Sequence, residues 1–170
     1  MWVFGYGSLI WDDWEKQFNC DKRSLADLHG YRRTFNKRSV RNWGTWQSPC
    51  PTLNLLKDDA GCCRGVAFHL SNEQEEMVLA KLRQREGKNF DLVKLPISLT
   101  DNYKVQAHTP LYTGANLIND MAPENLANMI RDAKGCKGRC VDYIAGLAKA
   151  LAAHGIQDPC VDALVREVKQ

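Results

Sequence analysis

The chain has 170 residues, of which 44% are hydrophobic and 25% are charged. This length and composition are typical of a globular domain with its own core, so we expect residues 1–170 to form a single domain. The net charge of +3 is too small to favour a nucleic-acid-binding protein. Because the sequence contains no run of about 18 apolar residues, we also expect no membrane-spanning helix.

The chain begins with an apolar segment, MWVFGYGSLIW. It lacks the basic start and the small-residue cleavage site of a signal peptide, so we expect it to form a strand of the mature fold. The sequence contains seven cysteines, an odd number. Without a secretion signal, that count indicates reduced thiols and a cytoplasmic protein.

Strand patterns occupy the first two thirds of the chain. Short apolar or alternating runs that stop at turn-forming residues predict strands at 3–6, 31–40, 52–56, 63–70, 90–99 and 103–112. The segment Asp58-Asp59-Ala60-Gly61 predicts a hairpin turn between the third and fourth of these strands.

Helix signals appear once among the strands and again throughout the last third. Ser71 and Gln74 predict a capping box at the start of a helix that runs through Glu86 and ends at Gly87. Three further helices are predicted: from Pro123 to near Gly135, from Cys140 to His154, and after Asp158-Pro159. Strands followed by helices predict an α+β fold.

The segment Gly5-Tyr6-Gly7-Ser8 follows the first predicted strand directly. Its glycines allow positive φ and the close approach of a ligand, and successive amides of such a turn can bind an anion or an oxyanion. The alternative is a tight turn that only ends a buried strand. The third glycine of a dinucleotide-binding motif is missing, which argues against that cofactor.

Glu86 is a candidate acid–base residue. At about 100° per residue it continues the apolar stripe of Leu79 and Leu82, and it lies in the last helical turn, where the helix dipole disfavours a carboxylate. A carboxyl group in that setting can take and return a proton. The alternative is an ion pair with Arg83 or Arg85, or a solvated helix end.

Metal ligands and substrate-binding arginines are less well marked. Cys136 and Cys140 could supply half of a zinc site, but two more ligands are missing, so we expect no metal. Cys62 and Cys63 should point to opposite faces of a strand, which makes a bond between them improbable. In the alternating segment 31–41, Arg33 and Arg41 are candidates to bind a substrate carboxylate bidentately.

Several motifs occur in a fixed order along nearly the whole chain. They are MWVFGYGSLIW at the start, Tyr31-Arg32-Arg33-Thr34-Phe35, Ala60-Gly61-Cys62 with Gly65-Val66-Ala67, Arg85-Glu86-Gly87, and Gly138-Arg139-Cys140-Val141-Asp142-Tyr143. In this order and spacing the sequence resembles the ChaC-type glutathione-specific γ-glutamylcyclotransferases.

The resemblance implies a fold and a reaction. The fold is a γ-glutamylcyclotransferase-like small β-barrel wrapped by helices. The γ-glutamyl part of glutathione cyclises to 5-oxoproline and releases cysteinylglycine, with no cofactor and no metal. The resemblance also assigns residues: Glu86 as the catalytic glutamate, and Val3, Phe4, Gly5, Tyr6, Gly7, Ser8, Leu9 and Tyr143 as substrate-binding residues.

The sequence departs from the family pattern at two places. Phe90 stands where many members carry a tyrosine, and residues 41–51 differ from the Gly/Pro-rich stretch of better-known members. If residues 41–51 line the pocket, the group beyond the γ-glutamyl unit differs. The alternatives are therefore another γ-glutamyl amine or dipeptide as substrate, or a non-catalytic γ-glutamyl-binding domain. The Gly7 and Ser8 amides could bind either the oxyanion or the substrate α-carboxylate.

Overall fold

The computed structural model describes residues 1–119 and 121–170. Its five main strands are β1 (Trp2–Gly5), β2 (Lys22–Ser39), β3 (Cys50–His69), β4 (Phe90–Leu99) and β5 (Lys104–Tyr112). They close a barrel in the order β1-β3-β2-β4-β5. The helices are α1 (Glu75–Glu86), α2 (Pro123–Asp132), α3 (Cys140–Ala153) and α4 (Pro159–Lys169). The predicted α+β class is therefore confirmed. Within the described residues, no helix has both the length and the apolarity needed to cross a membrane.

The chain divides into two compact units. The first comprises Met1–Arg32 and Leu55–Gly114, and the second comprises Arg33–Asn54 and Ala115–Gln170. The first unit contains β1, β4, β5 and α1, and the second contains the other three helices. Two of the three boundaries fall inside the long strands β2 and β3, and the third follows β5. The expectation of a single domain over residues 1–170 stays a prediction.

Strand β1 has a hydrogen-bonded neighbour on each side. It pairs antiparallel with β3, where Gly5 is opposite Val66, and parallel with β5, where Val3 is opposite His108. Val3 and Phe4 are completely buried. A strand with two neighbours and two covered faces is a continuous apolar run rather than an alternating one, which explains the local sequence.

The predicted hairpin turn at residues 58–61 is wrong, because β3 runs through this segment. Asp58 Oδ2 forms an ion pair with Arg32 Nε at 3.2 Å. A Cβ atom on Gly61 would lie 2.9 Å from the Tyr31 carbonyl oxygen. The polar residues and the glycine therefore belong to an exposed part of the ladder between β2 and β3, where glycine permits close backbone approach.

The predicted start and end of α1 are largely confirmed. The Ser71 hydroxyl accepts a hydrogen bond from the Glu73 amide at 3.2 Å, and a short 3-10 turn (Asn72–Gln74) precedes the helix. Gly87 ends it with a φ of +86°, a conformation that glycine adopts without steric cost. The capping box is only half formed: among the described residues, the buried Gln74 Oε1 has no hydrogen-bond partner.

In the second unit, α2, α3 and α4 pack against one another. The predicted start of α4 is confirmed, because the Asp158 carboxylate accepts hydrogen bonds from the Cys160 and Val161 amides at 3.1 and 3.2 Å. Its other oxygen accepts from Arg33 Nη1 at 2.8 Å. Arg33 is only 2% exposed. Its guanidinium therefore pairs with a helix cap, and its role toward a substrate stays a prediction.

Two expectations for the second unit are wrong. The helix from Pro123 ends at Asp132 rather than near Gly135, and the next residues form a short hairpin of β6 (Lys134–Gly135) and β7 (Gly138–Arg139). A disulfide joins Cys50 to Cys140, whose Cα atoms are 5.7 Å apart and whose side chains are buried. The expectation that all thiols are reduced therefore fails for this pair, and Cys140 is not a metal ligand.

The close contact between β1 and β3 predicts a large effect of one methyl group. A Cβ on Gly65 would lie 2.4 Å from the Gly5 carbonyl oxygen and 2.7 Å from the Phe4 ring. We expect Gly65→Ala to lower the free energy of unfolding by about 1–3 kcal/mol, because overpacked cores must shift backbone and rotamers. Urea denaturation followed by circular dichroism measures it.

Gly146 provides the matched control. It lies inside α3, and outside its own stretch of helix no heavy atom of residues 1–119 and 121–170 would lie within 4 Å of a Cβ added there. We expect Gly146→Ala to raise the free energy of unfolding by about 0.5–1 kcal/mol, because alanine is the better helix former. Equal effects of the two substitutions would contradict the packing argument at Gly65.

Candidate functional site

The first part of the candidate site is the turn after β1. The Gly7 carbonyl accepts a hydrogen bond from the Ile10 amide at 2.9 Å, which starts a short 3-10 helix (Ser8–Ile10). The Tyr6 hydroxyl donates to the Pro110 carbonyl at 2.9 Å. The turn is therefore attached to β5 as well as to β1, and its position is fixed by the barrel.

The two glycines of this turn do not use the positive φ that glycine allows. Gly7 has a φ of −137°, and the role of its amide toward a ligand stays a prediction. At Gly5, a Cβ would lie 3.1 Å from both the Leu9 Cβ and the Phe68 ring. Gly5 therefore serves close packing of the strand end.

Most side chains of the predicted substrate-binding segment belong to the core. Val3, Phe4, Tyr6 and Leu9 are all buried, whereas Ser8 is half-buried. What this segment can offer to a ligand is therefore its main chain and the Ser8 hydroxyl. Such amides and hydroxyls are the groups that bind carboxylates and oxyanions.

The second part of the site is the C-terminal end of α1. Glu86 is the last residue of this helix, and its side chain is 15% exposed. It lies beyond the buried Val78 and Leu82, which face the core of the first unit. This placement confirms that Glu86 continues the apolar stripe, with its carboxylate at the edge of the buried region.

Arg85 connects the helix end to the turn. Its Nη2 donates to the Ser8 hydroxyl at 2.9 Å, and its Nε donates to Asp12 Oδ2 at 2.9 Å. Its Nη1 forms an ion pair with Glu86 Oε1, and Nη2 also contacts the Asp12 oxygen. The alternative of an Arg85 ion pair is thus present in the structure. The same guanidinium brings two predicted site residues, Ser8 and Glu86, into one network.

Sequence reasoning missed Asp12. It lies 73 positions from Arg85, and no local pattern marks an acid in an exposed turn as the partner of a distant arginine. A weaker signal existed for Arg85, since adjacent opposite charges at a helix end are candidates for pairing. The acidic character of the network, with two carboxylates around one guanidinium, became visible only in the structure.

The opposite end of α1 contains a second charged cluster. His108 Nε2 donates to Glu75 Oε1 at 3.2 Å, and Lys94 Nζ lies 3.4 Å from the same oxygen. Burial lowers the pKa of His108 below its ordinary value, against the opposing effect of Glu75. The hydrogen bond with His108 lowers the pKa of Glu75. Among the described residues, the buried His108 Nδ1 has no hydrogen-bond partner, so a proton there lacks an acceptor.

The predicted substrate residue Tyr143 lies in the second unit, in the first turn of α3. Its hydroxyl accepts a hydrogen bond from the Leu53 amide at 3.1 Å, and its ring centroid lies 5.5 Å from that of Trp43. The disulfide fixes the start of the same helix through Cys140. Tyr143 is therefore a buried, well-oriented phenol.

Trp43 belongs to the segment that departs from the family pattern, and this segment is tightly folded. The Trp43 amide donates to the Ser39 hydroxyl at 3.2 Å. A Cβ on Gly44 would lie 2.4 Å from the Cys50 amide nitrogen. Arg41 is exposed, and its carbonyl accepts from the Cys136 amide at 2.9 Å. The role of Arg41 toward a substrate stays a prediction.

Two further sequence features have a defined structural setting. The Phe90 ring packs edge-on against Tyr112, with centroids 5.2 Å apart. Cys62 is exposed and Cys63 is buried, as expected for neighbours on opposite faces of a strand. Residues 1–119 and 121–170 contain no group of three or more His, Cys, Asp or Glu side chains arranged to hold a metal ion.

The chain matches the model of the ChaC-like protein family over residues 1–170. It is 32% identical over 183 residues to gamma-glutamylcyclotransferase 2-3 of Arabidopsis thaliana, covering 99% of this chain and 88% of the relative. It is 29% identical to the glutathione-specific gamma-glutamylcyclotransferase of Escherichia coli K12, covering 100% and 73%. A solved structure of the glutathione-specific yeast enzyme aligns with a TM-score of 0.86 at 21% identity, covering 99% and 95%. This likeness confirms the γ-glutamylcyclotransferase-like fold.

The cluster of Glu75 and His108 predicts acid-sensitive stability. Because the pKa of His108 is lowered from 6.5, the unfolded chain binds its proton at a higher pH than the folded chain does. Stability contributed by His108 is therefore present above pH 6.5 and is lost as the pH falls through the lower folded value. Glu75 adds a loss of the same sign below its ordinary pKa of 4.5.

We expect His108→Gln to flatten the decrease of the urea midpoint between about pH 7.5 and pH 5.5, the range around the ordinary histidine pKa. His29→Gln is the matched control, because His29 is exposed on β2, and it should leave the decrease unchanged. A decrease that is equally steep in the His108 variant would show that other groups cause it.

Proposed function

Because the chain belongs to the ChaC-like protein family, we propose that it is a γ-glutamylcyclotransferase that converts glutathione to 5-oxoproline and cysteinylglycine. The family match over residues 1–170 carries this proposal. The enzyme is a carbon–nitrogen lyase that acts on a small-molecule substrate. We place the reaction in the cytoplasm, where glutathione is the main thiol buffer.

The reaction requires one proton acceptor and a folded substrate. The substrate α-ammonium loses a proton, and its nitrogen attacks the γ-carbonyl carbon of the same molecule. The tetrahedral intermediate then collapses, the amide C–N bond breaks, and the leaving amine takes up a proton. Since the attack is intramolecular, the protein mainly holds the γ-glutamyl chain in a near-attack geometry.

Glu86 is the general acid–base residue of this proposal. Its half-buried carboxylate stands at the end of α1, and Arg85 links it to Ser8 in the turn after β1. Glu86 accepts the proton from the α-ammonium and returns it to the leaving amine. The main chain of residues 3–9 supplies amides that bind either the oxyanion or the α-carboxylate.

Tyr143 is the proposed substrate contact in the second unit. Its ring lies next to Trp43, in the segment that differs from better-known members. The family match over residues 1–170 supports this role for Tyr143. A γ-glutamyl amine or another γ-glutamyl dipeptide is the second candidate substrate, and the composition of residues 41–51 favours it.

The function is tested by incubating the purified protein with glutathione and measuring 5-oxoproline by mass spectrometry. Glu86→Gln should lower the turnover by about two to four orders of magnitude, because it removes the proton acceptor at nearly constant size. Glu76→Gln is the matched control, since Glu76 is exposed in the first turn of the same helix. Near-normal turnover by Glu86→Gln would rule out the assignment of Glu86 as the acid–base residue.

A panel of γ-glutamyl amines and dipeptides distinguishes the candidate substrates. Failure with every compound would leave the non-catalytic γ-glutamyl-binding domain as the remaining alternative.

The role of Tyr143 is tested by Tyr143→Phe. If its hydroxyl contacts the substrate, KM should rise about fivefold while kcat changes little, the size of one uncharged hydrogen bond. The same variant also loses the acceptor of the Leu53 amide, so the thermal midpoint should be measured on the same preparation. Tyr103→Phe is the control, because Tyr103 is 67% exposed. A lower midpoint with an unchanged KM would assign Tyr143 to folding alone.

A further inference from the structure

The structure assigns to Asp12 and Arg85 the role of positioning residues. Together they adjust how readily Glu86 gives and takes its proton. This inference rests on the proposed function, in which Glu86 is the acid–base residue. It adds to that function a mechanism by which two residues outside the reacting atoms control the protonation of the third.

The geometry of the guanidinium carries the inference. Arg85 is only 17% exposed, and it uses three different nitrogen atoms. Nε and Nη2 both contact Asp12 Oδ2, Nη2 reaches the Ser8 hydroxyl, and Nη1 holds Glu86 Oε1. A planar guanidinium with this many contacts is fixed in orientation, which an ammonium group cannot reproduce. One side of Arg85 is therefore paired with Asp12, while the other side holds one oxygen of Glu86.

The charges of the three residues fit the proton transfer. With Glu86 ionised, one guanidinium faces two carboxylates, so the cluster carries one excess negative charge that suits the substrate α-ammonium. After Glu86 takes the proton, Arg85 and Asp12 remain as a neutral pair. Asp12 therefore prevents Arg85 from holding Glu86 permanently ionised, because the guanidinium keeps a partner in both states.

The third partner of Arg85, Ser8, is uncharged and contributes a hydroxyl from the turn. The two charged partners of this network beside Glu86 are therefore Asp12, from the segment that follows the turn, and Arg85 on α1. Removal of Asp12 and removal of Arg85 change the electrostatic field at Glu86 with opposite signs. This opposition separates control of protonation from a merely structural role.

The experiment is the pH profile of kcat/KM for Asp12→Asn and Arg85→Gln with glutathione as the substrate. In Asp12→Asn the unbalanced guanidinium stabilises the Glu86 carboxylate, so the acid limb should move by about one pH unit to lower pH. In Arg85→Gln the Asp12 charge is left uncompensated, so the acid limb should move to higher pH. Arg85→Lys keeps the positive charge but loses the planar guanidinium that holds Asp12, Ser8 and Glu86 together. It should lower kcat about tenfold, with a smaller movement of the acid limb.

Matched variants control for changes elsewhere. Asp13→Asn removes the neighbouring acid, which is 56% exposed and paired with Lys16 at 2.7 Å. Arg83→Gln removes an exposed arginine of the same helix. Both should leave the acid limb in place. Thermal midpoints of all variants show whether each is folded, and if Arg85→Gln does not fold, the direction of the Asp12→Asn shift alone decides.

The outcomes separate this inference from the proposed function. Opposite movements of the acid limb support it. Movements in one direction, or lower rates with an unmoved limb, overturn it while leaving the proposed function intact. Near-normal turnover by Glu86→Gln, in contrast, would remove the assignment of Glu86 and this inference together. Failure of the unaltered protein to form 5-oxoproline from any substrate would remove the proposed function itself.

Discussion

The placement of the first strand between two neighbours is the constraint on which the first unit depends. Strand β1 has only four residues, yet it is paired on both sides, and Gly65 lets the neighbouring backbone approach the Gly5 carbonyl closely. A strand so short has little freedom of register once both faces are buried. Because the turn follows Gly5 directly, the pairing of β1 determines where the Ser8 hydroxyl lies, and therefore whether Arg85 can reach it.

Helix α1 holds the Glu86 carboxylate in a fixed position next to that turn. At its start, Ser71 caps the short 3-10 turn that leads into the helix and His108 binds Glu75, and at its end Gly87 turns the chain away. Both ends are thus attached to elements of the first unit. Sites carried on rigid elements hold their geometry better than sites on loops, and Glu86 occupies the last position that is still helical.

The parts of this structure that could be predicted are those with a local cause. The start of α4 follows from a cap at Asp158, and the end of α1 follows from a glycine. The failures have distant causes. Asp58 looks like a turn residue until its strand neighbour is known, and the partners of Asp12 and Arg33 are 73 and 125 positions away. The helical stripe marks Glu86 as a candidate, but its catalytic role, like the roles of residues 3–9 and Tyr143, depends on resemblance.

The bond between Cys50 and Cys140 has a practical consequence for anyone who handles this protein. It joins positions 90 residues apart, and both sulfur atoms are buried. Molecules of identical sequence can therefore differ in covalent connectivity, according to the oxidation history of the preparation. Exchange between the two forms requires the second unit to open, because a thiolate must reach a sulfur atom. Since glutathione is itself a thiol, every assay mixture that contains it contains a reductant, and intact mass measured before and after turnover reports which form is present.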